Sequence, residues 1–226
     1  MLSRVPFPPQ AIFFDLDGTL LDSLPGIEFS IEQAFASCGL TKQNINLKHL
    51  IGPPIRNILA GCAHDVTDAQ LYQLEVAFRR SYDSEGWQKT LHFPGSTEAL
   101  RELRVLNIPL FVVSNKPGHI SLEILKRESI LSLFTAVVTR DSMVPPFASK
   151  AAMMAHLLRE FRLDSDHCIM VGDTAEDADA AAAMLVSFIL MTHGYGDVPA
   201  SSHSPVALRL NSFWELLPAL IKEPAQ

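Results

Sequence analysis

The sequence is short of cysteine, of positive charge and of long apolar runs, and each shortage removes a class of protein. Its three cysteines, Cys38, Cys62 and Cys168, are odd in number and lack the paired spacing of metal ligands. They read as free, buried thiols of a reducing compartment. Lys and Arg total 18 against 25 Asp and Glu, a formal net charge of −7. That balance argues against a nucleic-acid backbone or an anionic membrane surface as the main partner. Any anionic ligand must be drawn by a local cation or a metal. No apolar run reaches membrane-spanning length. Residues 1–10 carry one Arg and three prolines, without the apolar segment of a signal peptide. The expectation is a cytoplasmic protein, monomeric or homodimeric.

What is present is a chain able to bury a core: 226 residues, 48% of them apolar, enough for one large domain or two modest ones. It is organised around residues 11–22. Residues 11–14, with two aromatics and a β-branched residue, predict a buried strand. The strand stops at Asp15 and Asp17, followed by Gly18, Thr19 and Asp22. In open α/β sheets the carboxyl ends of strands face a ligand crevice. Two adjacent carboxylates there repel unless a cation or a shared proton lies between them. Hard oxygen ligands of this kind favour Mg²⁺. Gly18 lets the backbone approach a ligand closely.

Beyond this stretch the pattern changes twice. Residues 27–35 place Ile27, Ile31, Ala34 and Phe35 at helical spacing, after a boundary at Pro25-Gly26, and Gly39 stops that helix. Asn44 or Asn46 caps a short helix, Gly52-Pro53-Pro54 interrupts it, and another helix runs over 55–60. Thr67 caps one more through Tyr82. Nothing between Pro25 and Thr90 alternates as a strand does. The second half alternates strand and helix, which predicts a parallel sheet with helices on both faces. Its strands are 110–113, 136–139, 168–171, 187–191 and 206–210. Ser96 caps a helix, Pro117 and Gly118 open the next, Lys150 leads into a third, Asp177 lies on a fourth, and Ser212 starts a last one that Pro218 disturbs or ends.

Three strand ends carry further chemistry. Ser114 and the N–H groups after it suit a phosphoryl oxygen. Lys150 is a compact positive charge suited to a carboxylate and a phosphoryl group together. Asp173 ends a strand in Gly172-Asp173-Thr174, and Asp177 lies one helical turn on.

The run Phe14-Asp15-Leu16-Asp17-Gly18-Thr19, with Ser114, Lys150 and Gly172-Asp173-Thr174-Ala175-Glu176-Asp177 in that order, resembles the haloacid dehalogenase (HAD) superfamily. Ile51-Gly52-Pro53-Pro54, Phe93-Pro94-Gly95, Ser114-Asn115-Lys116-Pro117 and Gly194-Tyr195-Gly196 are similar to its phosphoglycolate phosphatase-like members. The resemblance implies a Rossmann-like core, residues 1–22 and 92–226, with a helical cap, residues 23–91, inserted after the first strand. It implies Mg²⁺-dependent hydrolysis of a small phosphorylated metabolite through an aspartyl phosphate. Asp15 would be the nucleophile and Asp17 the acid and base. Asp15, Asp173 and the carbonyl of Asp17 would hold the metal. Ser114 and Lys150 would bind the phosphoryl group, although many relatives carry Lys-Pro in this loop and Pro145, before Pro146, occupies that slot here; Asp177 would orient the lysine or a metal-bound water. Gly18, Thr19, Asn115 and, from the cap, Arg56 would touch substrate. A mutase of the β-phosphoglucomutase type and a pyrophosphatase fit the same motifs. A dehalogenase fits less well because Asp17 is present, and a non-catalytic binding protein would be expected to have lost one of these residues.

Overall fold

The computed structural model describes residues 5–52, 54–199 and 204–221. Residues 1–4 and Pro53, the middle of the Gly-Pro-Pro break, lie outside the described residues. The elements run β1 (Ala11–Phe14), β2 (Leu21–Asp22), α1 (Leu24–Cys38), α2 (Ile55–Gly61), α3 (Asp68–Ser84), β3 (Leu91–His92), α4 (Ser96–Val105), β4 (Leu110–Ser114), α5 (Gly118–Arg127), β5 (Ala136–Thr139), α6 (Lys150–Glu160), β6 (Cys168–Gly172), α7 (Ala175–Ala183), β7 (Ser187–Met191), β8 (Leu208–Leu210) and α8 (Leu216–Ile221). They form two compact units, residues 1–21 with 92–226, and residues 22–91.

The first unit holds a six-stranded sheet in the order β5-β4-β1-β6-β7-β8, with every pair parallel. Strands buried on both faces read as continuous apolar runs, and β1, β4, β6 and β7 are buried throughout. Phe13 pairs with Phe111 and Met170 on its two sides. The Phe13 and Phe111 rings meet at 5.4 Å. Small residues of α7, Ala178, Ala180 and Ala181, join that core and bring their helix close to the sheet. The chain builds outward from β1 to β4 and β5, then returns to β6 on the other side. This reversal leaves a crevice at the carboxyl ends of β1, β4 and β6, where loops diverge.

The second unit is helical. Ile27, Ile31, Ala34 and Phe35 of α1 and Leu71, Leu74, Phe78 and Tyr82 of α3 are its buried faces. Thr67 and Gln70 close a capping box at the start of α3. The chain leaves and re-enters through β2 and β3, which pair as a two-stranded sheet.

Four local expectations are corrected. Helix α1 begins at Leu24, three residues early, because Pro25 sits in its first turn, where the missing N–H has no intrahelical partner to lose. Ser96 does not cap α4; Gly95, at φ 82°, holds that position, and Ser96 is the first helical residue. Ser212 opens a short 3₁₀ turn, Phe213–Glu215, and Pro218 lies inside α8, which neither begins at Ser212 nor ends at the proline. Cys62 and Cys168 are buried thiols, but Cys38, near the end of α1, is half-exposed; all three are free.

Candidate active site

Asp15 leaves β1 with its N–H donated to the Val171 carbonyl at 3.0 Å, so the strand pairing continues through it. The next residues close a tight loop: Gly18 N–H donates to the Leu21 carbonyl, and Leu21 N–H to that of Leu16, both at 2.9 Å. Gly18 takes φ +87°, and a Cβ there would lie 2.3 Å from Asp173 Oδ2. Both the backbone angle and the space therefore require glycine.

Lys150, the first residue of α6, is buried and donates to Asp15 Oδ1 at 2.9 Å and to Asp177 Oδ1 at 2.6 Å. Burial works against its charge, but Asp15 and then Asp177 outweigh burial and raise its pKa. Burial pushes the Asp15 carboxyl well above the usual range; Lys150 opposes this, while Asp177 and Asp173 add to it. The other Asp15 oxygen accepts no hydrogen bond among the described residues.

Asp177 has its other oxygen filled. Oδ2 accepts from Thr174 N and Oγ1 at 3.0 and 2.7 Å and from Asp173 N at 3.3 Å. Thr174 is thus an N-cap, and the same capping box that starts α7 aims Asp177 at the lysine. Asp173, fully buried, receives Thr19 Oγ1 at 2.9 Å on Oδ1 and the N–H groups of Tyr195 and Gly196 at 2.8 and 3.2 Å on Oδ2. Burial, then the charge of Asp177, lifts its pKa to about 6 against those hydrogen bonds. Gly194 makes room for this carboxylate, since a Cβ there would lie 2.3 Å from Asp173 Cβ.

Ser114 ends β4, and its Oγ accepts the Lys116 N–H at 3.2 Å, leaving its own proton to donate. The Asp17 carboxylate meets Lys116 Nζ at 3.0 and 3.2 Å. Lys116 is the residue that reading the sequence missed as a site residue. Nothing in a lysine after Ser-Asn signals a partner 99 residues away.

Three residues expected to touch substrate have partners within the protein. The Thr19 hydroxyl proton goes to Asp173. Asn115 Nδ2 donates to both Glu176 oxygens, at 3.0 and 2.9 Å, and its Oδ1 is buried without a hydrogen-bond partner. Arg56 pairs with Asp68 at 2.9 Å and Glu75 at 3.7 Å, inside the helical unit.

Oxygens of Asp15, Asp173 and Asp177 lie within 4.8 Å of one another, all three residues buried. Among the described residues the ammonium in contact with them is that of Lys150, which leaves the cluster with excess negative charge. A divalent cation fits that excess and this all-oxygen donor set. Asp177 is held by Lys150 and by its own helix cap; Asp15, with one oxygen open, and Asp173, whose donors are all neutral, suit the cation.

Residues 12–191 match the family described as haloacid dehalogenase-like hydrolase. The chain is 32% identical over 191 residues to the tyrosine-protein kinase PtkA of Mycobacterium tuberculosis, covering 83% of this chain and 64% of that protein's length. It is 31% identical to a phosphoglycolate phosphatase of Agrobacterium fabrum, covering 99% and 96%. A haloacid dehalogenase-like family hydrolase from Streptococcus pneumoniae superposes with a TM-score of 0.83 at 25% identity, covering 93% of this chain and 97% of the other. No helix of the described residues is long and apolar enough to cross a membrane. With its family match spanning most of the chain, the protein belongs to the haloacid dehalogenase-like hydrolases.

Proposed function

We propose that the chain is a Mg²⁺-dependent phosphatase that hydrolyses a small phosphomonoester, phosphoglycolate-like in size, through an aspartyl phosphate. The observation that carries this is the buried cluster in which Lys150 joins Asp15 to Asp177 beside Asp173. The similarity to the Agrobacterium phosphatase over nearly its whole length supports it.

Asp15, Asp173 and the carbonyl of Asp17 would hold Mg²⁺, which neutralises charge between the carboxylate nucleophile and the phosphate dianion. Lys150 adds to that neutralisation through its contact with Asp15. The Asp15 carboxylate attacks phosphorus, and the bond to the alcohol oxygen breaks. Asp17 gives that oxygen a proton. Asp17 then takes a proton from the water that attacks the aspartyl phosphate. Inorganic phosphate leaves and Asp15 is restored. Ser114 donates to a phosphoryl oxygen throughout. Positioning and charge stabilisation supply most of the rate, and acid–base help from Asp17 is worth about 10²–10⁴-fold.

Phosphate release is measured on phosphoglycolate, sugar phosphates, nucleotides and pyrophosphate, with and without Mg²⁺, for the wild type and Asp15→Asn. Activity that needs Mg²⁺ and vanishes in Asp15→Asn is expected. A folded protein inert on every compound overturns the reading.

The similarity to PtkA favours a second reading, in which a nucleotide donates the phosphoryl group and a tyrosine hydroxyl receives it in place of water. Labelled phosphate moving from ATP to protein tyrosine, with little free phosphate released, would select it.

A further inference from the structure

We propose that Lys116 is a positioning residue that fixes the Asp17 carboxylate for its work on the leaving group. The inference rests on the phosphatase reading and adds a residue to it.

Lys116 Nζ straddles both Asp17 oxygens, at 3.0 and 3.2 Å. The Lys116 side chain is 4% exposed and that of Asp17 21%. A buried ammonium is costly without a partner, and here the partner is the more accessible group. The cation is therefore the fixed member and the acid the member open to a ligand. The backbone around Lys116 is anchored at several points. Its N–H donates to Ser114 Oγ at 3.2 Å. Pro117 follows and restricts the backbone on both sides of the peptide bond. Gly118 N–H then donates to Asp141 Oδ1 and Oδ2 at 2.9 and 3.2 Å. The lysine thus stands on a shelf built by the end of β4 and the start of α5.

Lys150 serves Asp15 and Asp177, and Lys116 serves Asp17. Asp17 sits on a short loop beyond its strand, where its side chain has several staggered choices. A two-point contact from a fixed ammonium selects one of them. Orientation of this kind contributes to rate without any contact between the lysine and the substrate.

The test uses Lys116→Met and Lys116→Arg beside Asp17→Asn, with Mg²⁺ present. Two substrates are compared: the alkyl phosphomonoester hydrolysed fastest in the panel above, and p-nitrophenyl phosphate, whose leaving group departs without a proton. The quantity read is kcat/KM, which reports formation of the aspartyl phosphate. Lys116→Met is expected to lower kcat/KM for the alkyl ester by about 10²-fold, the lower end of what acid–base help supplies. p-Nitrophenyl phosphate stays near its wild-type value. Lys116→Arg restores part of the loss. Combining Lys116→Met with Asp17→Asn adds little to Asp17→Asn alone, because both act through one group.

An equal fall on both substrates, carried by a raised KM or by a lowered unfolding midpoint, overturns the inference: the lysine then binds phosphate or only supports the fold. Unchanged kinetics in Lys116→Met overturn it as well, with the phosphatase reading left standing. A wild type inert on both substrates overturns that reading, and the inference with it.

Discussion

Lys150 Nζ and Asp177 Oδ1 lie 2.6 Å apart, joining the first residue of α6 to the third residue of α7. Two helix starts thereby meet over one ion pair, and Asp15 is drawn into it from the end of β1. Removing the lysine leaves two buried carboxylates without their counter-charge. Lys150→Met is expected to lose activity and about 3–5 kcal/mol of stability, the usual result of breaking a buried pair from one side. Urea unfolding with Mg²⁺ absent checks it. A variant as stable as the wild type would mean that the two acids are solvated or protonated instead.

The pH dependence of stability follows from Asp173, whose pKa in the fold is about 6. In the unfolded chain it is close to the ordinary value of about 3.9. The folded state therefore holds the extra proton between these values. Stability from this group is greatest at low pH, falls as pH rises from about 4 to about 6, and is level above. A bound cation replaces that proton. Stabilisation by Mg²⁺ is thus expected to grow across the same window and be larger at pH 7 than at pH 5. Thermal unfolding with and without Mg²⁺ at several pH values reads this; an equal rise in midpoint at pH 5 and pH 7 contradicts it.

Thr19→Val removes the hydroxyl that meets Asp173 Oδ1 at 2.9 Å and keeps the shape of the side chain. One buried acceptor is left short of a donor, which costs about 1–3 kcal/mol. Because Asp173 is then less firmly oriented, weaker Mg²⁺ binding is expected by isothermal titration. Unchanged Mg²⁺ affinity in a stable variant would assign Thr19 to the substrate side after all.

Phe13→Ala tests the core that carries the site. Phe13 is fully buried and packs against Phe111. A loss of about 3–5 kcal/mol is expected in denaturant unfolding. A loss under 1 kcal/mol would mean that the neighbouring strands collapse into the space.

What could be read from the sequence was what depends on neighbours along the chain. The strand-end acids Asp15 and Asp173 follow apolar runs, Thr67 precedes an amphipathic helix, and Gly39 stops α1 at φ 64°. What depends on distant partners was hidden. The Lys116 contact spans 99 positions, and the Thr19 contact with Asp173 spans 154. A hydroxyl beside a carboxylate pair carries no mark that its proton goes elsewhere. Thr174 caps α7, and Asp177, which closes that capping box with one oxygen, meets Lys150 with the other, a double use that neighbours along the chain do not reveal. Ser96 misled because serine commonly caps helices, whereas Gly95 supplies the left-handed turn that this entrance needs.

The pairing of β1 on both sides has a consequence for amide exchange with solvent. The Ile12 N–H is bound to the Pro109 carbonyl, and the Asp15 N–H to the Val171 carbonyl, in the middle of a six-stranded sheet. Such amides exchange only when the whole unit opens, whereas those of the loop from Asp17 to Leu21 need only a local excursion. The Asp15 amide is therefore a reporter of global stability in this unit. Any substitution that weakens the sheet, however far from the crevice, is read at the backbone of the proposed nucleophile before activity is lost.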